Sequence, residues 1–233
     1  MNEVPDFLRV ANRDKPMAKP LVWSYTLLNT YDSICPHQAY RRFIKRDIPF
    51  FETPQMKRGN DVHSALEHRV AAGRPLPPDM QQYEPIAAPL AARSAKAEEW
   101  VGVNSDFTPA DSRQANYGRG KIDVHIAQGQ SAYLLDYKTG KTREESFELE
   151  IQAVFLKAKY PDLKVIVGQY AWLAEVRLGK VHDVSDTQAK WMRIGAIVAR
   201  MKADKQGGEF AKRPSGLCGW CPVKDCEHWR ERI

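Results

Sequence analysis

Apolar and polar positions along the chain switch from helical spacing to alternation and back. Residues 1–23 are punctuated by proline and show little periodicity, so they read as an extended arm. Ser24 is placed to cap a helix through Tyr31. Cys35-Pro36 interrupts it, and a second, basic helix is predicted from Ala39 to Arg46. From Met56 to Ala71 the residues Val62, Leu66 and Val70 recur on one helical face. Gly73 to Pro78 is a connector, and an alanine-rich helix is predicted from Pro89 to Trp100.

The period then changes. Lys121 to Ala127 alternates, with Ile122, Val124 and Ile126 on one face and Lys121, Asp123 and His125 on the other. Ser131 to Lys138 continues as a second strand after a connection short enough for a hairpin. Glu144 to Tyr160 returns to helical spacing through Phe147, Ile151, Val154, Phe155 and Ala158, and Pro161 stops it. Another strand is predicted from Lys164 to Ala174. Ser185-Asp186-Thr187-Gln188 is a capping-box pattern opening a helix to about Ala203, which Gly207-Gly208 ends. Helices around a small central sheet give an α/β or α+β class.

The hairpin register carries the first chemistry. If Gly129-Gln130 form a type II′ turn, Gln128 faces Ser131, and counting outward sets Asp123 across from Asp136 and Lys121 across from Lys138. Like charges directly opposed destabilise a sheet pair by about 0.2–1 kcal/mol, so a cation between the carboxylates is the expected reason for them. Hard oxygen ligands suit Mg²⁺ or Mn²⁺. A third ligand is needed, and His63 on its helix is the candidate, an imidazole being more usual for Mn²⁺ than for Mg²⁺. Each residue also has a plain structural reading: a solvated edge charge paired with Lys138, a packed histidine, an exposed Gln152 amide. Gly140-Lys141-Thr142 resembles the end of a phosphate-binding loop, but that pattern requires glycine where Leu135 stands, so no ATPase site is expected.

The composition narrows the setting. The chain has 233 residues, a formal charge of +6 and 43% hydrophobic residues, enough for a packed core and too many for a disordered chain. The basic excess is compatible with an anionic partner such as nucleic acid. No apolar stretch approaches the ~20 residues of a membrane span. The first residues carry acids where a secretion signal has a basic start and an apolar run, so a cytoplasmic location is expected. There are four cysteines: Cys218, Cys221 and Cys226 crowd into CGWCPVKDC, while Cys35 stands alone. In a cytoplasmic chain this layout favours metal ligation over disulfides.

Taken in order, GNDVHSALE, GRGKIDV, LLDYKTGK and the Gln152 helix resemble the RecB-like branch of the PD-(D/E)XK nuclease superfamily over residues 24–233. The resemblance implies a restriction-endonuclease-like core, a small mixed sheet flanked by helices. It implies that His63, Asp123, Asp136 and the Tyr137 carbonyl hold Mg²⁺ or Mn²⁺, that Lys138 orients the attacking water, and that Gln152 belongs to the catalytic set. The family's glutamine usually begins Q-x-x-x-Y, whereas here Leu156 fills the last place, with Phe155 beside it. The implied activity is a DNA exonuclease acting on ends or single strands in recombination or end processing, in a bacterial cell or a phage-infected host. It would work alone, as a homo-oligomer, or with a recombination or helicase partner. The alternatives are a CRISPR-adaptation nuclease that processes spacers and a non-catalytic, zinc-stabilised DNA-binding subunit.

The cysteine layout is similar to that of a subset of these nucleases, AddB-like and CRISPR-adaptation proteins among them. The resemblance implies that Cys35, Cys218, Cys221 and Cys226 hold a [4Fe–4S] cluster, with Zn²⁺ as the rival and His37 or His228 as substitute ligands in a zinc site. The domain reading is therefore an arm (1–23), a nuclease domain (24–206) and a cysteine tail (207–233) that completes the cluster with Cys35. Arg41, Arg42 and Lys45 on the basic helix, with Tyr40 interleaved, are candidate DNA contacts, as are Arg58 and Arg119.

Overall fold

A computed structural model describes residues 21–142 and 145–231, so most of the expected arm lies outside the described residues. Ser24 accepts a hydrogen bond from Leu27 N at 3.4 Å and starts α1 (Tyr25–Asn29), which widens into a π turn over Thr30–Ile34. Cys35 is extended, and Pro36 opens α2 (Pro36–Ala39), whose continuation Tyr40–Lys45 ends at Arg46 in the left-handed region. Thr53 caps α3 (Pro54–Ala72) through Met56 N at 3.2 Å, and Gly73, at φ 66°, ends it. The Val62, Leu66 and Val70 stripe is buried as expected.

The helix expected over Pro89 to Trp100 is displaced. Helix α4 runs over Glu84–Ala92, with Pro89 inside it, and Trp100 instead belongs to strand β1 (Lys96–Val103). Alanine, lysine and glutamate favour a helix, but pairing with the next long strand overrides that local preference. The remaining elements are β2 (Pro109–Ala110), β3 (Gly118–Gln128), β4 (Ser131–Lys138), α5 (Phe147–Lys159), β5 (Val165–Trp172), β6 (Arg177–Asp183) and α6 (Thr187–Gly207). Alternation did not single out β2 or β6. Helix α6 is capped by Asp186, which accepts from Ala189 N at 3.0 Å, and not by Ser185. The Ser185 hydroxyl is occupied with Ile166 N at 2.9 Å.

One six-stranded sheet in the order β2-β1-β3-β4-β5-β6 organises the molecule. β4 and β5 pair in parallel and the other neighbours are antiparallel, so α5 is a crossover lying on one face. The hairpin turn has positive φ at Gly129 (57°) and not at Gln130, the type II′ pattern, and Gln128 pairs with Ser131 as expected. Two apolar cores flank the sheet. α1, α5 and α6 cover one face with Leu28, Phe155 and Ile194, while α3 and α4 cover the other with Leu66 and Leu90. Gly118 permits the close approach of Trp23, since a Cβ there would sit 2.2 Å from the indole. The architecture is an α/β fold with a mixed sheet between helices, matching the restriction-endonuclease-like expectation.

Candidate active site

Strand β4 alternates regularly. Ala132 and Leu134 face the α5 core, while Leu135 and Tyr137 face the α3 core. Strands β1 and β3 do not. In β3, Ile122 joins the α5 core and Val124 the α3 core, although residues two apart normally share a face. In β1, Val101 packs on the α5 side and Ala97 on the α3 side. Both strands therefore change phase at the same level. The register brackets that level with Ala97↔Val124 and Glu99↔Ile122, which sets Glu98 across from Asp123. Glu98 adopts φ 52°, a conformation costing a non-glycine residue of order 1–3 kcal/mol.

This phase change revises the expected face of the carboxylates. The β3–β4 ladder follows the predicted register as far as Val124↔Leu135 and stops one residue short of the two aspartates. Asp123 turns toward α3, where its Oδ2 lies 3.5 Å from His63 Nδ1 and accepts from Tyr137 N at 2.9 Å. Asp136 turns toward α5, where its Oδ1 accepts from Gln152 Nε2 at 2.8 Å and its other oxygen contacts Lys138 Nζ. Each acid thus meets its own donors instead of confronting the other. Lys121, expected across from Lys138, contacts Glu98 and lies over the Trp100 ring.

Two adjoining groups result. In the first, ligand atoms of His63, Glu98 and Asp123 lie within 4.8 Å of one another, with His63 Nδ1 3.3 Å from Glu98 Oε1. His63 stands edge-on to Tyr137, one position past Val62 on α3, so the buried stripe of that helix fixes its direction. Burial opposes a charge on His63, but the hydrogen bonds and charges of Asp123 and Glu98 prevail and raise its pKa to about 10. The two carboxylates beside the imidazole make this a negatively charged pocket. One nitrogen and two carboxylates this close together fit a divalent ion, with Mn²⁺ tolerating the imidazole better than Mg²⁺. Glu98 escaped the sequence reading because its segment was read as helix. The alternation of Val101 and Val103 after paired acids was the available signal.

In the second group, Lys138 Nζ donates to Glu148 Oε2 at 2.6 Å while contacting Asp136. Burial pushes the Asp136 carboxyl upward against the pull of Lys138, and the charges of Glu148 and Asp123 add to the rise. Asp123 thus reaches both groups electrostatically. Gln152 is buried, not an exposed amide, and among the described residues its Oε1 has no hydrogen-bond partner. Glu148 is a second residue that the sequence reading left without a role.

The chain matches the PD-(D/E)XK nuclease superfamily over residues 22–226. It belongs to that superfamily. Among solved structures, an exonuclease candidate of Eubacterium rectale aligns with TM-score 0.54 and 12% identity, covering 91% of this chain and 88% of its own. The protein SSO0001 aligns with TM-score 0.53 and 14% identity, covering 90% and 87%. At such identities the likeness concerns the fold. No curated protein matches the chain.

The candidate DNA contacts of this nuclease-family chain divide in two. Tyr40 is stacked on Phe210 with centroids 4.5 Å apart, so its ring is not an open platform. Arg41 donates to Asp47 at 2.8 Å and pairs with Asp225 at 2.9 Å, and Lys45 pairs with Asp47 at 2.6 Å. The basic helix thus braces the segment after Cys35 against the C-terminal tail. Arg42 lies over the Phe43 ring, and Arg58 pairs with Asp79 at 2.8 Å. Arg119 is exposed and lines a groove beside the second group.

The same brace brings the cysteines together. Cys35, Cys218, Cys221 and Cys226 line one cavity, with His37 and His228 also on its wall. Burial raises the Cys221 thiol, and charge on the other three thiols adds to the rise. Among the described residues no three of these sulfurs lie within 4.8 Å of one another.

Proposed function

We propose that this protein is a divalent-metal-dependent deoxyribonuclease, an exonuclease hydrolysing phosphodiester bonds at DNA ends or in single strands during recombination or end processing. The observation that carries the reading is the convergence of His63, Glu98 and Asp123 beside the Asp136–Lys138 pair. The name of the Eubacterium rectale neighbour points the same way. His63, Glu98 and Asp123 would hold Mg²⁺ or Mn²⁺, with Asp136 and the Tyr137 carbonyl completing the set. When bound, such an ion polarises a phosphoryl oxygen and lowers the pKa of water.

The chain's own groups do the rest. Lys138, held between Asp136 and Glu148, supplies fixed positive charge where the phosphate becomes more anionic. Gln152 anchors Asp136 through Oδ1 so that its other oxygen stays turned to Lys138. Arg119 and Lys121, which line the groove, would offer cations to the DNA backbone, as would Arg42 and Arg58. On this reading residues 24–206 form the nuclease unit and 207–233 its cysteine-bearing tail. Digestion of end-labelled DNA with Mg²⁺ or Mn²⁺ tests it: cleavage should disappear with a chelator and in Asp123→Ala. Binding without cleavage under either metal would favour a non-catalytic DNA-binding role.

The four thiols would hold a [4Fe–4S] cluster with a structural role. The support for a shared metal is the single cavity that Cys35, Cys218, Cys221 and Cys226 line. Four thiolates are the ligand set such a cluster takes, and they would equally serve a zinc ion. A brown protein containing iron and sulfide is expected, whereas a colourless protein containing only zinc would reverse the assignment.

A further inference from the structure

Trp100 lies on the surface beside the proposed centre. It stands across from Lys121 in the β1–β3 ladder, is 64% exposed, and has the Lys121 ammonium 5.9 Å from its ring centroid. Together with Arg113, Arg119, Lys121 and Gln152 it lines an open groove of about 790 Å³. Lys121 also borders the neighbouring groove that contains His63 and Glu98, so the two grooves meet at this lysine. A nucleotide lying against Trp100 would therefore be a near neighbour of the bond to be cut.

The chemistry of the groove selects the form of DNA. In a duplex the base faces are stacked inside, and the outer surface presents phosphates and base edges. Along a duplex, away from its two ends, an exposed indole face finds no matching partner, whereas every unpaired base offers one. The cations alongside suit the backbone of the same strand. We infer that Trp100 is a stacking platform for an unpaired base and that this groove binds single-stranded DNA in preference to duplex. The inference rests on the nuclease reading for its substrate, and it adds the residue that makes the site prefer one form.

The test is equilibrium binding by fluorescence anisotropy in calcium-containing buffer. The probes are a fluorescein-labelled single strand and a blunt duplex of the same sequence, titrated with wild type, Trp100→Ala and Trp100→Phe. Trp100→Ala should weaken single-strand binding about tenfold and lower the ratio of single-strand to duplex affinity, while Trp100→Phe retains most of it. Equal loss on both probes would mean a wedge into duplex. That result would overturn the inference, as would an unchanged ratio or a wild type that binds no single strand. Manganese-dependent cleavage assayed in parallel separates the two readings. Cleavage with an unchanged ratio sinks only the stacking role, whereas the expected ratio without any cleavage sinks only the nuclease.

Discussion

Gln152 Nε2 donates to Asp136 Oδ1 at 2.8 Å, and both side chains are buried. A helix on one face of the sheet thereby fixes a carboxylate at the end of β4. Replacing Gln152 with Leu keeps the volume close but leaves Asp136 with an unsatisfied oxygen. Groups that orient ligands or catalytic acids typically contribute about 10–100-fold to activity or metal affinity. Gln152→Leu is therefore expected to slow cleavage within that range and to lower stability by about 1–3 kcal/mol. Wild-type cleavage in the variant would remove Gln152 from the machinery.

The first group offers a prediction that needs no turnover. If His63, Glu98 and Asp123 share an ion, Mn²⁺ should raise the melting temperature of the wild type, and a chelator should reverse the rise. Glu98→Gln removes one carboxylate charge from the site and should reduce the shift sharply, with a similar effect from His63→Ala. An equal Mn²⁺ shift in Glu98→Gln would place the ion elsewhere, because Glu98 enters the site only through the phase change in β1.

Much of this arrangement was legible in the chain, and the missing parts have physical causes. The hairpin register followed from a glycine at the first central position of the turn. His63 was legible as a candidate ligand on its helix, and the structure sets it beside Glu98 and Asp123. Glu98 was hidden because Ala95 to Glu99 is locally helix-prone, and only pairing with β3 makes it a strand. The divergence of Asp123 and Asp136 was hidden because alternation assumes a constant phase, which β3 breaks between Asp123 and Val124. Arg41 looked like a DNA contact because its partner Asp225 lies far along the chain, and sequence patterns carry no information about such pairs.

Lys138 ties two acids together, so its removal has two measurable consequences. Lys138→Met should lower cleavage by about 10²–10³-fold, the scale for losing one electrostatic contact to the transition state. It also leaves buried Asp136 and half-buried Glu148 without their shared cation. Each acid is already harder to ionise than in water, chiefly through burial. Stability near neutral pH should fall, and the double variant Lys138→Met with Glu148→Gln should recover part of it without restoring cleavage. Urea denaturation of the three proteins checks the stability effect, and the end-label assay checks the activity.

His125 gives a pH dependence away from the proposed centre. Its Nε2 lies 2.8 Å from Glu99 Oε2, while its buried Nδ1 has no hydrogen-bond partner among the described residues. The neutral ring with its proton on Nε2 satisfies this geometry, whereas an imidazolium would bury an N–H with no acceptor. Burial accordingly lowers its pKa from the usual histidine value, against the opposing pull of Glu99. A histidine whose folded pKa is depressed binds fewer protons folded than unfolded below the unfolded pKa. Stability must then fall as the pH drops from about 7 toward 5. His125→Phe removes the titrating ring and should flatten that part of the profile, measured as the urea midpoint against pH. An acid slope of unchanged steepness in His125→Phe would assign the loss of stability to other groups.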